Sequence, residues 1–522
     1  MGRSLVLAQA FTALATVSSA LTVTIPGAPP FKPGGAKLLQ RRSAKSGNTT
    51  TDSISWGPCP DSFPSNITCA TYTVPLDWEH PQANETIELG LVRIEARDKS
   101  NRIGNLFVNP GGPGGQASSL VASLATAPSA VDPQILDRFD VIGLDPRGVG
   151  LSTPVRCDAA AYNQRVTWFP ETQGQFDALV AYNKNLAESC RAETGRLIDF
   201  VDTVSAARDH EAVRKALGGE KANFLGLSYG TQLFGQYAEL FPEGVRALVL
   251  DGNLQHSQSE SSNLLIESAA YEATLKNFFA WCAAAPDDDE CPLRGQDVRA
   301  KYESVVAKAR ESPIPAPGCD DKTCRSNVTA EDIRFSVQPY LISPGSWPSL
   351  GKAIAAAADD DDATLISQQQ PLATGDAYED SLLFAGTAIA CQDWTHASSS
   401  LAEVRAKAAL GQTFTPLTGG ACQSYKIQTS CVGWPAPLSN PPKPVSYDGA
   451  AKILMLQSTF DPSTSYAWGL GLHAEIGDRR SVLVTRNGTG HTSYLLGGEA
   501  AAAANAYLVN LTLPEPGTIL QS

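Results

Sequence analysis

The sequence predicts an α/β protein built on a mostly parallel sheet with helices on both faces, interrupted by an inserted, mainly helical domain. Three observations carry this reading. Short apolar, β-branched runs alternate with helical patterns from about residue 70 to 253. Each run ends in a turn that holds glycine or polar residues. The rhythm stops after Asp251 and returns at Lys452–Gln457. Strands that alternate with helices bury both faces of a sheet, and ligands of such sheets gather at the carboxyl ends of the strands.

The elements follow in order. Residues 1–20 carry Arg3, a short apolar stretch from Leu5 to Val17, and the small residues Ser18-Ser19-Ala20. This pattern reads as a secretory signal peptide, too short to span a membrane. Residues 21–50 are rich in Pro, Gly, Ser and Thr and contain Arg41-Arg42. They form either a propeptide cut at the arginine pair or a flexible N-terminal arm. Residues 51–253 hold the first part of the sheet domain, with strands expected at Thr71–Leu76, Ile87–Ile94, Leu106–Asn109, Phe139–Leu144, Asn223–Leu227 and Val245–Leu250. Residues 254–440 read as a helical lid, with helices over Asn263–Trp281 and Val298–Glu311. Its acid runs, Asp287–Glu290 and Asp359–Asp362, lack ligand geometry and read as solvated loops. Residues 441–522 complete the sheet domain with strands at Lys452–Gln457 and Ser481–Thr485 and a helix, Tyr466–Ile476, between them.

Composition narrows the classes. The chain has 522 residues, 43% hydrophobic and 18% charged, an ordinary globular balance. A net charge of −14 repels phosphate backbones, so nucleic acid is not an expected partner. No later segment reaches the roughly 18 uninterrupted apolar residues of a membrane span, so no membrane association is expected of the mature chain. Six N-x-S/T sequons, at Asn48, Asn66, Asn84, Asn327, Asn487 and Asn510, fit an exported glycoprotein. Eleven cysteines fit an oxidising compartment. Cys59/Cys69, Cys282/Cys291 and Cys319/Cys324 read as short-loop disulfides, with Cys157/Cys190 and Cys422/Cys431 as further pairs and Cys391 left single. No metal or organic cofactor motif is present, and none is expected.

Gly226-Leu227-Ser228-Tyr229-Gly230 is the strongest local signal. It lies between a strand and a helix, Thr231–Phe241, that ends at Pro242. A serine on that sharp turn exposes its hydroxyl, and the residues two before and two after it crowd each other and must be small. Ser228 is therefore the candidate nucleophile. A serine hydroxyl needs a base. Of the six histidines, His80 and His210 precede the serine, His256 and His396 fall in the helical insertion, and His473 lies in a helix as a surface residue. His491 follows the strand Ser481–Thr485 through a short loop, where a base must reach the serine. Asp461 ends the preceding strand and is the acid that would orient the imidazole. It also stands where an N-cap would, and Asp478 is its rival at the other edge of the sheet. Asn109-Pro110-Gly111-Gly112-Pro113-Gly114-Gly115 follows a strand and offers backbone amides for an oxyanion, with Gly112 and Tyr229 as the expected donors. Asp145-Pro146-Arg147-Gly148 ends another strand, and Arg147 reads as a structural brace.

These motifs together resemble the secreted tripeptidyl aminopeptidase branch of the prolyl aminopeptidase family, serine peptidases of the α/β-hydrolase fold. The matching blocks are NPGGPGG at 109–115, DPRGVGLS at 145–152, GLSYG at 226–230, the Asp461 segment and GTGHTSY at 488–494. Cys391-Gln392-Asp393-Trp394 and Cys431-Val432-Gly433-Trp434-Pro435 extend the resemblance over most of the mature chain. It implies Ser228, Asp461 and His491 as catalytic residues and an exopeptidase acting on free N-termini. The same triad also serves esterases, lactonases and amide hydrolases of small metabolites, so a peptide or a small ester or amide is the expected partner. The family holds the substrate's amino group with lid carboxylates, for which Glu267, Glu272 and Asp393 are the candidates. Two departures stand out. Asn109 and Pro110 replace the start of the usual HGGPG, as in the tripeptidyl branch. Ser465 stands where the family's D-x-x-T-P has its proline.

Overall fold

The computed structural model describes residues 54–81, 84–320, 324–368, 370 and 381–521. The signal peptide, the following arm and the Asn48 sequon lie outside them.

Ten strands form one sheet: β1 (Gly57–Pro58), β2 (Thr68–Pro75), β3 (Thr86–Ile94), β4 (Gly104–Asn109), β5 (Phe139–Leu144), β6 (Ala222–Leu227), β7 (Val245–Asp251), β8 (Ile453–Phe460), β9 (Ser481–Thr489) and β10 (Ile519–Gln521). Their spatial order is β1-β2-β3-β5-β4-β6-β7-β8-β9-β10. Pairing is parallel from β5 through β10 and antiparallel along the β1-β2-β3 edge and between β3 and β5. The longer helices are α1 (Ala117–Thr126), α2 (Gln173–Thr194), α3 (Thr203–Ala216), α4 (Tyr229–Leu240), α5 (Glu260–Ala283), α6 (Val298–Glu311), α7 (Trp347–Asp359), α8 (Ser381–Asp393), α9 (Leu401–Phe414), α10 (Gln423–Ser430), α11 (Tyr466–Ile476) and α12 (Gly498–Asn510).

The central strands are apolar throughout because helices cover both faces. Along β4, Leu106 and Val108 enter a core shared with Leu120 and Val121 of α1 and Leu508 of α12. Phe107 points the other way, into a core shared with Val213 of α3 and Leu233 and Tyr237 of α4. Each such side chain contributes about 1.5–3 kcal/mol on burial. The insertion has a core of its own, built by Tyr271, Leu275 and Phe278 of α5 with Val305 of α6, Leu350 of α7 and Tyr425 of α10. Helix α8 is different: Phe384, Ala385, Ala388 and Ile389 pack with Tyr182 and Tyr229 in the sheet-side core. The acid runs sit at the surface, where Asp359 pairs with Lys301 and Asp361 with Lys308.

Five disulfides form, between Cys59 and Cys69, Cys157 and Cys190, Cys282 and Cys291, Cys319 and Cys324, and Cys391 and Cys431. The expected Cys422/Cys431 pair, with Cys391 single, is corrected. Helix α10 stands between Cys422 and Cys431. Eight helical residues span about 12 Å, whereas a disulfide needs Cα atoms within about 7 Å. Cys391 ends its helix on the sheet side, 5.3 Å (Cα to Cα) from Cys431. Cys422 is left free and buried at the other end of α10, where its sulfur accepts the Tyr425 N–H at 3.4 Å.

Among the described residues no helix is long and apolar enough to cross a membrane, and no group of three or more His, Cys, Asp or Glu is placed to hold a metal ion. The connectivity predicts a thiol count. Denatured without reductant, the protein should release one equivalent of thionitrobenzoate from Ellman's reagent, and Cys422→Ser should release none. A native sample should react slowly, because that thiol is buried. Retention of the thiol in Cys422→Ser would contradict the pairing.

Candidate active site

Five strands end at one place. β6 stops at Leu227, and Ser228 makes the turn into α4 with φ 57° and ψ −126°. That backbone is uncommon for a residue with a side chain and costs on the order of 1–3 kcal/mol. Crowding fixes it. A Cβ on Gly226 would come within 2.7 Å of the Gly230 carbonyl carbon, and one on Gly230 within 2.8 Å of the Asn109 oxygen. The Ser228 N–H donates to the Asp251 carbonyl at 2.9 Å, at the end of β7. The Ser228 carbonyl accepts from Thr231 Oγ1 at 2.6 Å.

β8 delivers Asp461, directly after Phe460. Its carboxylate is fully buried and accepts from the backbone N–H groups of Ser463, Thr464 and Thr492, from the Thr464 hydroxyl, and from His491 Nδ1 at 2.9 and 3.0 Å. A carboxylate on Nδ1 assigns the proton to that nitrogen and leaves Nε2 as the acceptor. Nε2 is buried and has no hydrogen-bond partner among the described residues. Asp461 does not cap α11; Ser465, at the position of the family's proline, does so by accepting from Ala467 N. Asp478 is 96% exposed in its side chain and pairs with His473, which is partly buried and also bonds Ser481 Oγ.

Two buried side chains that the sequence did not single out hold this assembly. Asp251 Oδ2 accepts from the N–H groups of Ser493 and Tyr494, both at 2.7 Å. The same residue thus fixes Ser228 through its carbonyl and the His491 loop through its carboxylate. Burial pushes that carboxyl up to about 6, opposed by the two N–H donors. Arg486 donates to the carbonyls of Thr489, Gly490 and Thr492 and to the hydroxyls of Ser458 and Ser493. From the lid, the Ile342 carbonyl accepts the His491 N–H at 2.7 Å. An acid at a strand's carboxyl end was the available signal for Asp251. Arg486 gave none, since its partners are mostly backbone.

The glycine loop after β4 lies against the elbow. Asn109 Oδ1 accepts the Gly111 N–H at 2.9 Å, and a Cβ on Gly111 would sit 2.7 Å from Ser228 Cβ. Gly112 lines the same cavity as Ser228. The Tyr229 N–H opens α4 and has no intrahelical acceptor. Arg147 is fully buried, bound at two points to Asp209 and to the carbonyls of Pro75, Leu76 and Phe200.

A cavity opens over Ser228, walled by Gly112, Pro113, Ser463, Thr464 and the helical insertion. Glu260, Asn263 and Glu267 line it from α5, spaced three and four residues apart and so on one helix face. Glu260 is engaged by Lys407 and by the Ala397 N–H. Glu267 is buried, and among the described residues no cation is paired with it; its Oε2 accepts the Ser424 N–H at 2.6 Å, in the first turn of α10. Burial pushes its carboxyl up to about 7, against the hydrogen bonds of Ser424. The other two carboxylates expected to face the site do not reach it. Glu272 accepts from Leu417 N and pairs with Lys276. Asp393 lies beneath the elbow helix, where it accepts from Thr203, Asn440 and Gln232, and burial pushes it up to about 7.

No hydrogen bond joins Ser228 to His491 in this structure; the unpartnered Nε2 and the shared tether at Asp251 are what relate them. Catalytic hydrogen bonds often close only around substrate. An imidazole held on one side by a buried carboxylate and open on the other is suited to taking a hydroxyl proton and returning it.

Comparison with known proteins agrees with this chemistry. A family model described as "TAP-like protein" matches residues 416–519, and one described as "alpha/beta hydrolase fold" matches residues 104–294. "Carboxylesterase B" of Mycobacterium tuberculosis is 30% identical over 461 residues, 85% of each chain. "Serine protease Hip1" of the same species is 28% identical over 485 residues, covering 89% of this chain and 90% of the relative. "Tripeptidyl aminopeptidase" of Streptomyces coelicolor is 28% identical over 471 residues, 87% of this chain and 82% of the relative.

The geometry predicts that Asp461→Asn lowers kcat for a p-nitrophenyl ester about ten-thousand-fold and His491→Ala at least as much, with far smaller changes in KM. Steady-state kinetics on the purified variants check this. Losses under tenfold would contradict it.

Proposed function

The chain belongs to the TAP-like family of α/β hydrolases and is a serine hydrolase, and we propose that it is an exopeptidase that releases short peptides or amino acids from free N-termini. One observation carries the finer reading. Glu267 is a buried carboxylate with no cation partner among the described residues, in the wall of the cavity that holds Ser228. An ionised carboxylate is costly to bury alone. An ammonium group entering the cavity offsets that cost, whereas an ester of a neutral metabolite does not.

In the proposed reaction Ser228 Oγ attacks the scissile carbonyl and its proton passes to His491 Nε2. Asp461 stabilises the imidazolium. The N–H groups of Gly112 and Tyr229 receive the oxyanion. Collapse breaks the C–N bond, and His491 protonates the leaving amine. Water then adds to the acyl-enzyme, giving its proton to His491, which returns it to Ser228 as the ester bond breaks. The lid roofs the cavity with α5 and α10, which limits how much chain can lie on the acyl side.

Export belongs to the same proposal. The signal-like first twenty residues support it, as do the five disulfides and the surface positions of Asn66, Asn84, Asn327, Asn487 and Asn510 as glycan acceptors.

The test uses a tripeptide p-nitroanilide with its amino group free or acetylated, with Ser228→Ala as the blank. Release is expected from the free form, and Glu267→Gln should lower kcat/KM for it by at least about tenfold. The preference should also depend on pH. Glu267 loses its proton as pH rises through about 7, and a peptide amine keeps its proton up to about 7.7–8.0. Preference for the free amine should therefore grow from pH 6 to 7.5 and fall again above 8. Equal release from both forms, or cleavage of a simple ester alone, would overturn the exopeptidase reading in favour of an ester hydrolase.

A further inference from the structure

We propose that a second chamber, behind helix α10, receives the leaving part of the peptide, and that Lys426 in its wall binds the peptide's C-terminal carboxylate. The inference rests on the exopeptidase reading above.

The second chamber shares Gly112, Pro113, Gln423 and Ile427 with the cavity over Ser228. The two spaces adjoin beside the oxyanion loop, where Gln423 Nε2 donates to the Gly112 carbonyl at 3.2 Å across the wall between them. Helix α10 is the partition. Ser424 and Gln428 face the first cavity; Lys426 and Ser430 face the second; Gln423 and Ile427 touch both. An acyl portion bound over Glu267 leaves the rest of the peptide to pass this partition.

Lys426 is the residue that defines the chamber's charge. Its ammonium lies 5.5 Å from the Trp168 ring centroid and 6.0 Å from that of Phe335, and no anion is paired with it among the described residues. Burial pushes its ammonium below the usual lysine value, with the nearby Glu331 carboxylate opposing. The other charged groups of the wall are otherwise engaged. Glu331 turns one oxygen to the Trp168 N–H and the other to the Thr167 hydroxyl, and burial pushes it up to about 7. Asp332 pairs with Arg165, which also donates to the Asn327 carbonyl. Arg325 donates to Gln368 Oε1. A cation over two aromatic faces, near Glu331 but in no ion pair among the described residues, is free to take a carboxylate. Glu267 in one chamber and Lys426 in the other then place opposite charges on either side of helix α10. Those charges match the two ends of a short zwitterionic peptide.

A free-amine pentapeptide and its C-terminal amide, followed by mass spectrometry of the products, separate the possibilities. The wild-type enzyme should cleave the acid with a kcat/KM at least about tenfold higher, mainly through KM. Lys426→Met should abolish the difference, and Lys426→Arg should keep it. Equal cleavage of acid and amide by the wild type would overturn the proposal and leave the exopeptidase reading standing. A preference that survives in Lys426→Met would equally overturn it. Cleavage of neither peptide would instead overturn the exopeptidase reading on which it rests.

Discussion

Ser228 holds a backbone conformation that few residues with a side chain adopt, at φ 57° and ψ −126°. The surrounding structure is arranged to keep it there. Gly226 and Gly230 pack against each other across the turn, and Gly111 presses on it from the β4 loop. The Ser228 N–H is fixed to the carbonyl at the end of the next strand. None of these contacts forms unless β4, β6 and β7 lie side by side in parallel register, with their carboxyl ends aligned. The sheet is thus the frame for a strained serine, and the strain is carried by the cores on both of its faces.

The same logic extends to the proposed base. His491 lies on a loop, and loops alone do not hold a ring to fractions of an ångström. Asp251 and Arg486, both buried, tie that loop to the strand ends through its backbone. The lid adds the Ile342 carbonyl. Above the site, α5 and α10 form the walls of the cavity, and α10 also stands between that cavity and the chamber behind it. One short helix therefore presents the N–H that holds Glu267 and the lysine that faces the other side.

The sheet was legible because its strands are continuous apolar runs that end in glycine or polar turns. Phe139–Leu144 matched to the residue, as did the helices Val298–Glu311 and Tyr466–Ile476. The elbow serine, Asp461 and His491 stood out as candidates because hydrolase chemistry needs particular residue types at strand ends, and the structure brings Asp461 and His491 into contact there. What escaped depends on three-dimensional neighbours. Cys391 joins Cys431 because two segments of the insertion meet against the sheet, which spacing along the chain does not reveal. Glu267 was visible as a candidate but indistinguishable from Glu272 and Asp393. Only the helix faces and their partners separate a carboxylate open to the cavity from two that bind backbone and side-chain donors elsewhere.

The proposed reacting atom is Ser228 Oγ, on the strained turn between β6 and α4. A fluorophosphonate, which forms a stable bond to an activated serine oxygen, tests it directly by mass-spectrometric mapping of the labelled protein. A single adduct on the peptide that contains Ser228, formed far more slowly in His491→Ala, is the predicted result. An adduct on another residue, or an active enzyme that takes no label at Ser228, would contradict the claim.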